Sequence, residues 1–171
     1  MTPPTPTIVV ALIQRETRLL LVEAQGPDDP TPVWMLPGGQ VEADEELFDA
    51  LRRELAEETG LQIAGEPQPV FEVEVDYRTD IAIGPYRALT YACEATGELR
   101  PDDPDGLVRS AAWVEASEAL DRPSVLEWYE CEPLRRLLTG EAAAGAAYRY
   151  RVTGKRVSMM REGLELVDRT S

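Results

Sequence analysis

Apolar and polar positions divide the chain into short alternating runs and two longer stretches with helical spacing. TIVVALIQ (7–14) and RLLLVEA (18–24) are β-branched and leucine-rich, are separated by Arg15-Glu16-Thr17, and predict a hairpin. The proline-dense segment 26–32 predicts a loop that delivers the chain to Trp34 and the Pro37-Gly38-Gly39 turn. From Glu45 to Thr59 the period changes. Leu47, Phe48, Leu51 and Leu55 form the apolar stripe of a helix, and Gly60 stands where a left-handed residue would end it.

Downstream, FEVEVDY (71–77) alternates with period two and predicts a strand that pairs with YRALTYACEA (86–95) across Gly84-Pro85. Segment 97–106 reads as a polar loop, and 111–120 as a short strand running into a helical turn. Residues 123–140 predict a helix interrupted near Pro133 and closed by Gly140. After EAAAGAA, the run 148–160 predicts two strands around Thr153-Gly154, followed by LELV (164–167). Together these elements describe an α/β chain.

Composition narrows the function. With 171 residues, 43% hydrophobic and 29% charged, the chain has the length and balance of one soluble domain. A formal charge of −15 argues against a nucleic-acid footprint or an anionic-membrane surface, both of which need a basic face. A small anionic substrate fits if metal ions shield it. Cys93 and Cys131 lack metal-ligand spacing and read as apolar thiols. No signal segment or membrane-length apolar run is present, so a cytoplasmic protein is expected.

The chain has no histidine, which removes the usual neutral-pH acid/base and every Ser-His or Cys-His pair. Chemistry must then come from carboxylates, a metal, Tyr or Lys. One stretch stands out. On a helical wheel, Glu54, Glu57 and Glu58 fall at roughly 0°, 300° and 40°, bordering the stripe of Leu51 and Leu55 instead of opposing it. Like charges at this spacing repel by a few tenths of a kcal/mol per pair. At the edge of a core a divalent cation among them is worth more than in open solvent, and oxygen-only ligands point to Mg²⁺ or Mn²⁺.

The same stretch resembles the signature of the Nudix (MutT-like) hydrolases, Gly-x5-Glu-x7-Arg-Glu-U-x-Glu-Glu-x-Gly-U with U aliphatic. Gly39, Glu45, Arg53, Glu54, Leu55, Glu57, Glu58, Gly60 and Leu61 match it without a gap. At background frequencies a chain of this length would do so by chance about 10⁻⁷ of the time. The resemblance implies an α/β/α sandwich with a mixed sheet over residues 7–140. A flexible start (1–6) precedes it, and a β-rich basic extension (141–171), containing a β-hairpin, follows outside it.

It further implies that Glu54, Glu57 and Glu58, with a backbone carbonyl at Gly38 or Gly39, hold Mg²⁺, for which Mn²⁺ can substitute. Arg53 would orient Glu45 or Glu54. The implied reaction is attack by metal-activated water on a phosphorus of a nucleoside diphosphate derivative, with Glu54 or Glu58 as base. The sequence departs from the pattern once. Leu107 stands where many members carry a further glutamate, leaving Asp103, Asp105 or Glu94 as substitutes.

Candidate substrate contacts are Trp34, Tyr77 and Arg87, although an alternating strand also suits Tyr77 to a core. The marks of the ADP-ribose and coenzyme A subgroups are missing, and the histidines of isopentenyl diphosphate isomerase are absent. Nucleoside di- and triphosphates are the expected substrates, with dinucleoside polyphosphates or nucleotide sugars next, and a homodimer is possible in principle. A reading of another class is a non-catalytic nucleotide-binding module. In the tail, Arg149 and Arg151 alternate with Tyr148, Tyr150 and Val152, which implies either a hairpin packed by its tyrosines or a set of phosphate contacts.

Overall fold

The computed structural model describes residues 5–25, 32–79, 83–121, 128–154 and 167–168. In chain order the elements are β1 (Thr7–Leu12), β2 (Gln14–Arg15), β3 (Arg18–Ala24), β4 (Val33–Met35), β5 (Gly38–Gln40) and α1 (Leu47–Thr59). There follow β6 (Gln62–Thr79), β7 (Ile83–Thr96), β8 (Val108–Glu115), α2 (Ala116–Asp121), α3 (Trp128–Leu138), β9 (Ala146–Gly154) and β10 (Val167–Asp168). A mixed sheet runs β10-β9-β6-β7-β1-β5, and a second sheet joins β2 and β4 to β3, with β8 on the other side of β3.

The strand β1 is buried on both faces, and that decides its place. Val9 and Ala11 join α1's Leu51 and Leu55 in one cluster, while Val10 and Leu12 join Val73, Val75 and Leu134 in the other. Such a strand belongs in a central sheet between two layers. It pairs parallel to β7 and antiparallel to β5. The hairpin predicted over 7–24 therefore forms only at its tip, where Gln14 and Arg15 pair with Leu19 and Arg18.

Helix α1 ends as its glycine predicts. Gly60 adopts φ 77° and its N–H donates to Ala56 O at 2.8 Å. The buried face is Ala50, Leu51, Leu55 and Thr59, and Leu47 at the first turn is exposed. Helix α3 continues through Pro133 instead of breaking there. A proline in a helix interior costs about 3 kcal/mol, and full burial of Leu134 next to it supplies a compensating contact. The long strand β6 shifts register around Ala64–Gln68 and Pro69–Phe71, where its prolines cannot donate to the ladder.

Strand β9 lies parallel to β6, with Tyr148 beside Val73 and Tyr150 beside Val75, both tyrosines buried in the main cluster. Its antiparallel partner is β10. The second strand predicted at 155–160 lies outside the described residues. Among the described residues, no helix is long and apolar enough to cross a membrane.

Candidate active site

Two glycines set the site. A side chain at Gly38 would collide with the Val9 carbonyl and Val10 Cα, so only glycine lets β5 lie this close to β1. A side chain at Gly39 would strike the Glu54 carboxylate. The bare backbone of β5 therefore becomes the floor against which the acidic edge of α1 rests. The Gly38 N–H donates to Glu58 Oε2 at 2.8 Å.

Arg53 answers the repulsion among the glutamates. Its Nε donates to Glu45 Oε1 at 2.9 Å and its Nη2 to Glu45 Oε2 at 3.0 Å, a bidentate pair. Its Nη1 donates to Glu54 Oε1 at 2.8 Å and reaches Glu57 Oε2 at 3.4 Å, and Nη2 also donates to the Gln40 carbonyl at 3.1 Å. One guanidinium thus ties three carboxylates and β5 together. The hydrogen bond from Arg53 holds Glu45 below the usual carboxylate range, and Glu45 in turn raises Arg53.

Glu58 stands apart. Burial pushes its carboxyl up to about 8; the Gly38 N–H opposes this, while the charges of Glu54, Asp103 and Glu57 add to it. Glu54 is also raised by burial, against the pull of Arg53. The loop 97–107 explains the presence of Asp103. Arg100 N–H donates to Thr59 O and Asp102 N–H to Glu57 O, at 2.8 and 2.9 Å, folding the loop onto the end of α1.

Asp103 Oδ2 accepts from the Leu107 and Val108 N–H groups at 2.8 Å each, and Oδ1 accepts from Asp105 at 3.1 Å. Leu107, at the position of the family's further glutamate, is 42% exposed. Asp105 and Glu94 are also exposed.

The other candidates are placed as follows. Trp34 in β4 is half-buried, opposite Glu23 and packed on the main cluster. Arg87 in β7 is exposed and spends its fork on Glu72, with Nε–Oε1 at 2.6 Å and Nη2–Oε2 at 2.7 Å. Tyr77 lies in β6, and its side chain is outside the described part of the molecule. Pattern reading missed the Gly38 amide as a partner of Glu58. Its only trace is the glycine pair itself.

Among the described residues, no three acidic side chains converge into a ready-made metal cage. The donor chemistry nevertheless fits Mg²⁺. Glu54, Glu57 and Glu58 offer oxygen only, and among the described residues no guanidinium pairs with the half-buried Glu58.

The family described as NUDIX domain matches residues 3–132, and the chain belongs to the Nudix hydrolase family. Phosphatase NudJ of Escherichia coli is 30% identical over 138 residues, covering 80% of this chain and 86% of that protein. An octanoyltransferase of Myxococcus xanthus is 34% identical over 137 residues, 78% of this chain but 35% of that protein. The CTP pyrophosphohydrolase of Escherichia coli is 40% identical over 55 residues, 32% of this chain and 41% of that protein. The chain thus spans less than half the length of these last two relatives. The MutT protein of Bacillus halodurans has the same fold, with TM-score 0.68 at 19% identity over 95% of each chain.

Proposed function

We propose that this chain hydrolyses a phosphoanhydride bond of a nucleoside di- or triphosphate. The observation that carries the reading is Glu58, half-buried at the edge of α1, hydrogen-bonded by the Gly38 amide and, among the described residues, without a guanidinium partner. Glu54, Glu57 and Glu58, with a carbonyl of Gly38 or Gly39, would hold Mg²⁺ or Mn²⁺. When bound, such an ion lowers the pKa of water and offsets charge developing on the phosphoryl oxygens.

The chain's own residues do the rest. Arg53 hydrogen-bonds Glu45 and Glu54 and binds α1 to β5 through Gln40. Gly39 leaves room for the Glu54 carboxylate. Of the two candidate bases, Glu54 is tied to a guanidinium and Glu58, among the described residues, to an amide. We therefore assign to a Glu58 carboxylate oxygen the proton released by the attacking water. Support for a nucleotide substrate comes from the family and from a relative named for CTP.

The test is a phosphate-release screen over nucleoside mono-, di- and triphosphates, dinucleoside polyphosphates and nucleotide sugars, with Mg²⁺ or Mn²⁺. Turnover confined to dinucleoside polyphosphates or nucleotide sugars would move the substrate assignment. Tight Mg²⁺-nucleotide binding with no turnover on any of them would replace the enzyme by a nucleotide-binding module.

A further inference from the structure

The face of the six-stranded sheet that carries α1 continues beyond the helix. Leu89 and Tyr91 of β7 join the α1 cluster, so Arg87 and the residues in register with it, Glu74 of β6 and Arg149 of β9, lie on that same face. There Glu74, Asp76, Arg78, Arg149 and Arg151 wall a furrow of about 310 Å³, large enough for a small ligand. It is separate from the glutamates of α1, since β5 lies three strands from β6, about 14 Å at the usual strand spacing.

The furrow's charges are arranged in an order that a solvated sheet face does not need. Arg149 grips Glu74, with Nε–Oε1 at 2.9 Å and Nη2–Oε2 at 3.1 Å. Asp76 lies between two guanidiniums, 3.1 Å from Arg78 Nε and 3.5 Å from Arg151 Nε. Both of these arginine side chains are 60% exposed, whereas Asp76 is 18% exposed. Three guanidiniums against two carboxylates leave one positive charge in surplus, on a chain of net charge −15.

Arg78 Nε donates to Asp76 Oδ2 at 3.2 Å, while Asp76 Oδ1 is sealed from solvent and accepts no hydrogen bond among the described residues. A buried acceptor of this kind is costly to leave without a donor. The furrow thus presents two exposed forks, suited to phosphate oxygens, anchored on one largely buried carboxylate.

We propose that this furrow is a second ligand site, which takes a phosphate or pyrophosphate group. Arg78 and Arg151, whose guanidinium forks are the exposed cations of the furrow, contact the group's oxygens, and Asp76 holds the two forks side by side. The group belongs either to free phosphate or pyrophosphate or to the phosphate end of a nucleotide. The site goes beyond the proposed hydrolysis and stands or falls without it.

The test follows thermal unfolding of the full chain in EDTA at constant ionic strength, titrated separately with inorganic phosphate, pyrophosphate and a nucleoside monophosphate. A rise in melting temperature is expected with at least one of them. A rise confined to the inorganic anions assigns the group to the free ion; one confined to the monophosphate assigns it to a nucleotide.

Arg78→Gln with Arg151→Gln should weaken the apparent affinity at least tenfold while Mg²⁺-dependent turnover stays within about threefold of the parent. The charge-conserving pair Arg78→Lys with Arg151→Lys should fall between the two and carries the test if the glutamine pair does not fold. No rise in the parent at 10 mM of any anion would overturn the site, as would an equal rise in parent and both variants.

Discussion

Glu58 Oε2 accepts the Gly38 N–H at 2.8 Å across 20 residues of sequence, pinning the acidic edge of α1 to the glycine floor of β5. Around this bond the site's electrostatics divide. On one side Arg53 hydrogen-bonds Glu45, Glu54 and Glu57; on the other Glu58 is half-buried and, among the described residues, is met by the Gly38 amide and no guanidinium.

Glu57→Gln should abolish hydrolysis, with a loss of at least about 100-fold in kcat, and leave the fold intact. The substitution removes a ligand charge at an edge position and relieves repulsion with Glu54 and Glu58. Circular dichroism and steady-state kinetics check it. Activity within tenfold of the parent would remove Glu57 from the site.

Saturating Mg²⁺ should raise the melting temperature. A ligand that binds only the folded state stabilises it by RT ln(1 + [L]/Kd), about 2.7 kcal/mol at a hundredfold excess over Kd. Differential scanning fluorimetry of parent and Glu57→Gln provides the measurement. An equal Mg²⁺ shift in the two would place the metal elsewhere.

In EDTA, stability should decline as pH rises from about 5 to 8. Glu58 has a folded value of about 8 against an ordinary 4.5, so the folded state holds its proton more tightly than the unfolded chain does. Its contribution is fully present below the ordinary value and is lost as pH climbs through the folded one. A single proton limits the slope to about 1.4 kcal/mol per pH unit.

Glu58→Gln is neutral throughout and should flatten most of that decline, leaving the smaller part due to Glu54, which burial also raises. Urea unfolding at pH 5, 6, 7 and 8 measures it. Parallel curves for parent and variant would show that Glu58 ionises normally.

The two glycines should fail differently. Gly39→Ala places a methyl on the end of the Glu54 side chain, which can swing away. Activity should fall at least tenfold, with stability within about 1 kcal/mol of the parent. Gly38→Ala meets the backbone of Val9 and Val10, which cannot move aside, and should cost more than about 2 kcal/mol. Chemical denaturation beside kinetics separates the two. A Gly39→Ala enzyme with full activity would show that the Glu54 position is irrelevant to turnover.

Local pattern by itself determined α1 and the crowding of acidic side chains along its edge. The stripe through Leu51 and Leu55, the left-handed stop at Gly60 and the crowding of Glu54, Glu57 and Glu58 all depend on residues within two turns of one another. The alternation of 71–77 and 86–95 likewise marked β6 and β7, because a two-residue period needs no distant partner to be seen.

Tertiary structure alone decided which strands became neighbours. Runs 7–14 and 18–24 look like a hairpin, yet β1 joins β7 and β5, because burial of both its faces outweighs the proximity of β3. The same holds for β9, whose tyrosines find the core by lying parallel to β6. The Gly38–Glu58 bond spans 20 residues and the Glu74–Arg149 pair 75. The raised carboxyl of Glu58 and the charged furrow follow from such contacts, since burial and electrostatic partnership are properties of neighbours in space, which periodicity along a chain does not encode.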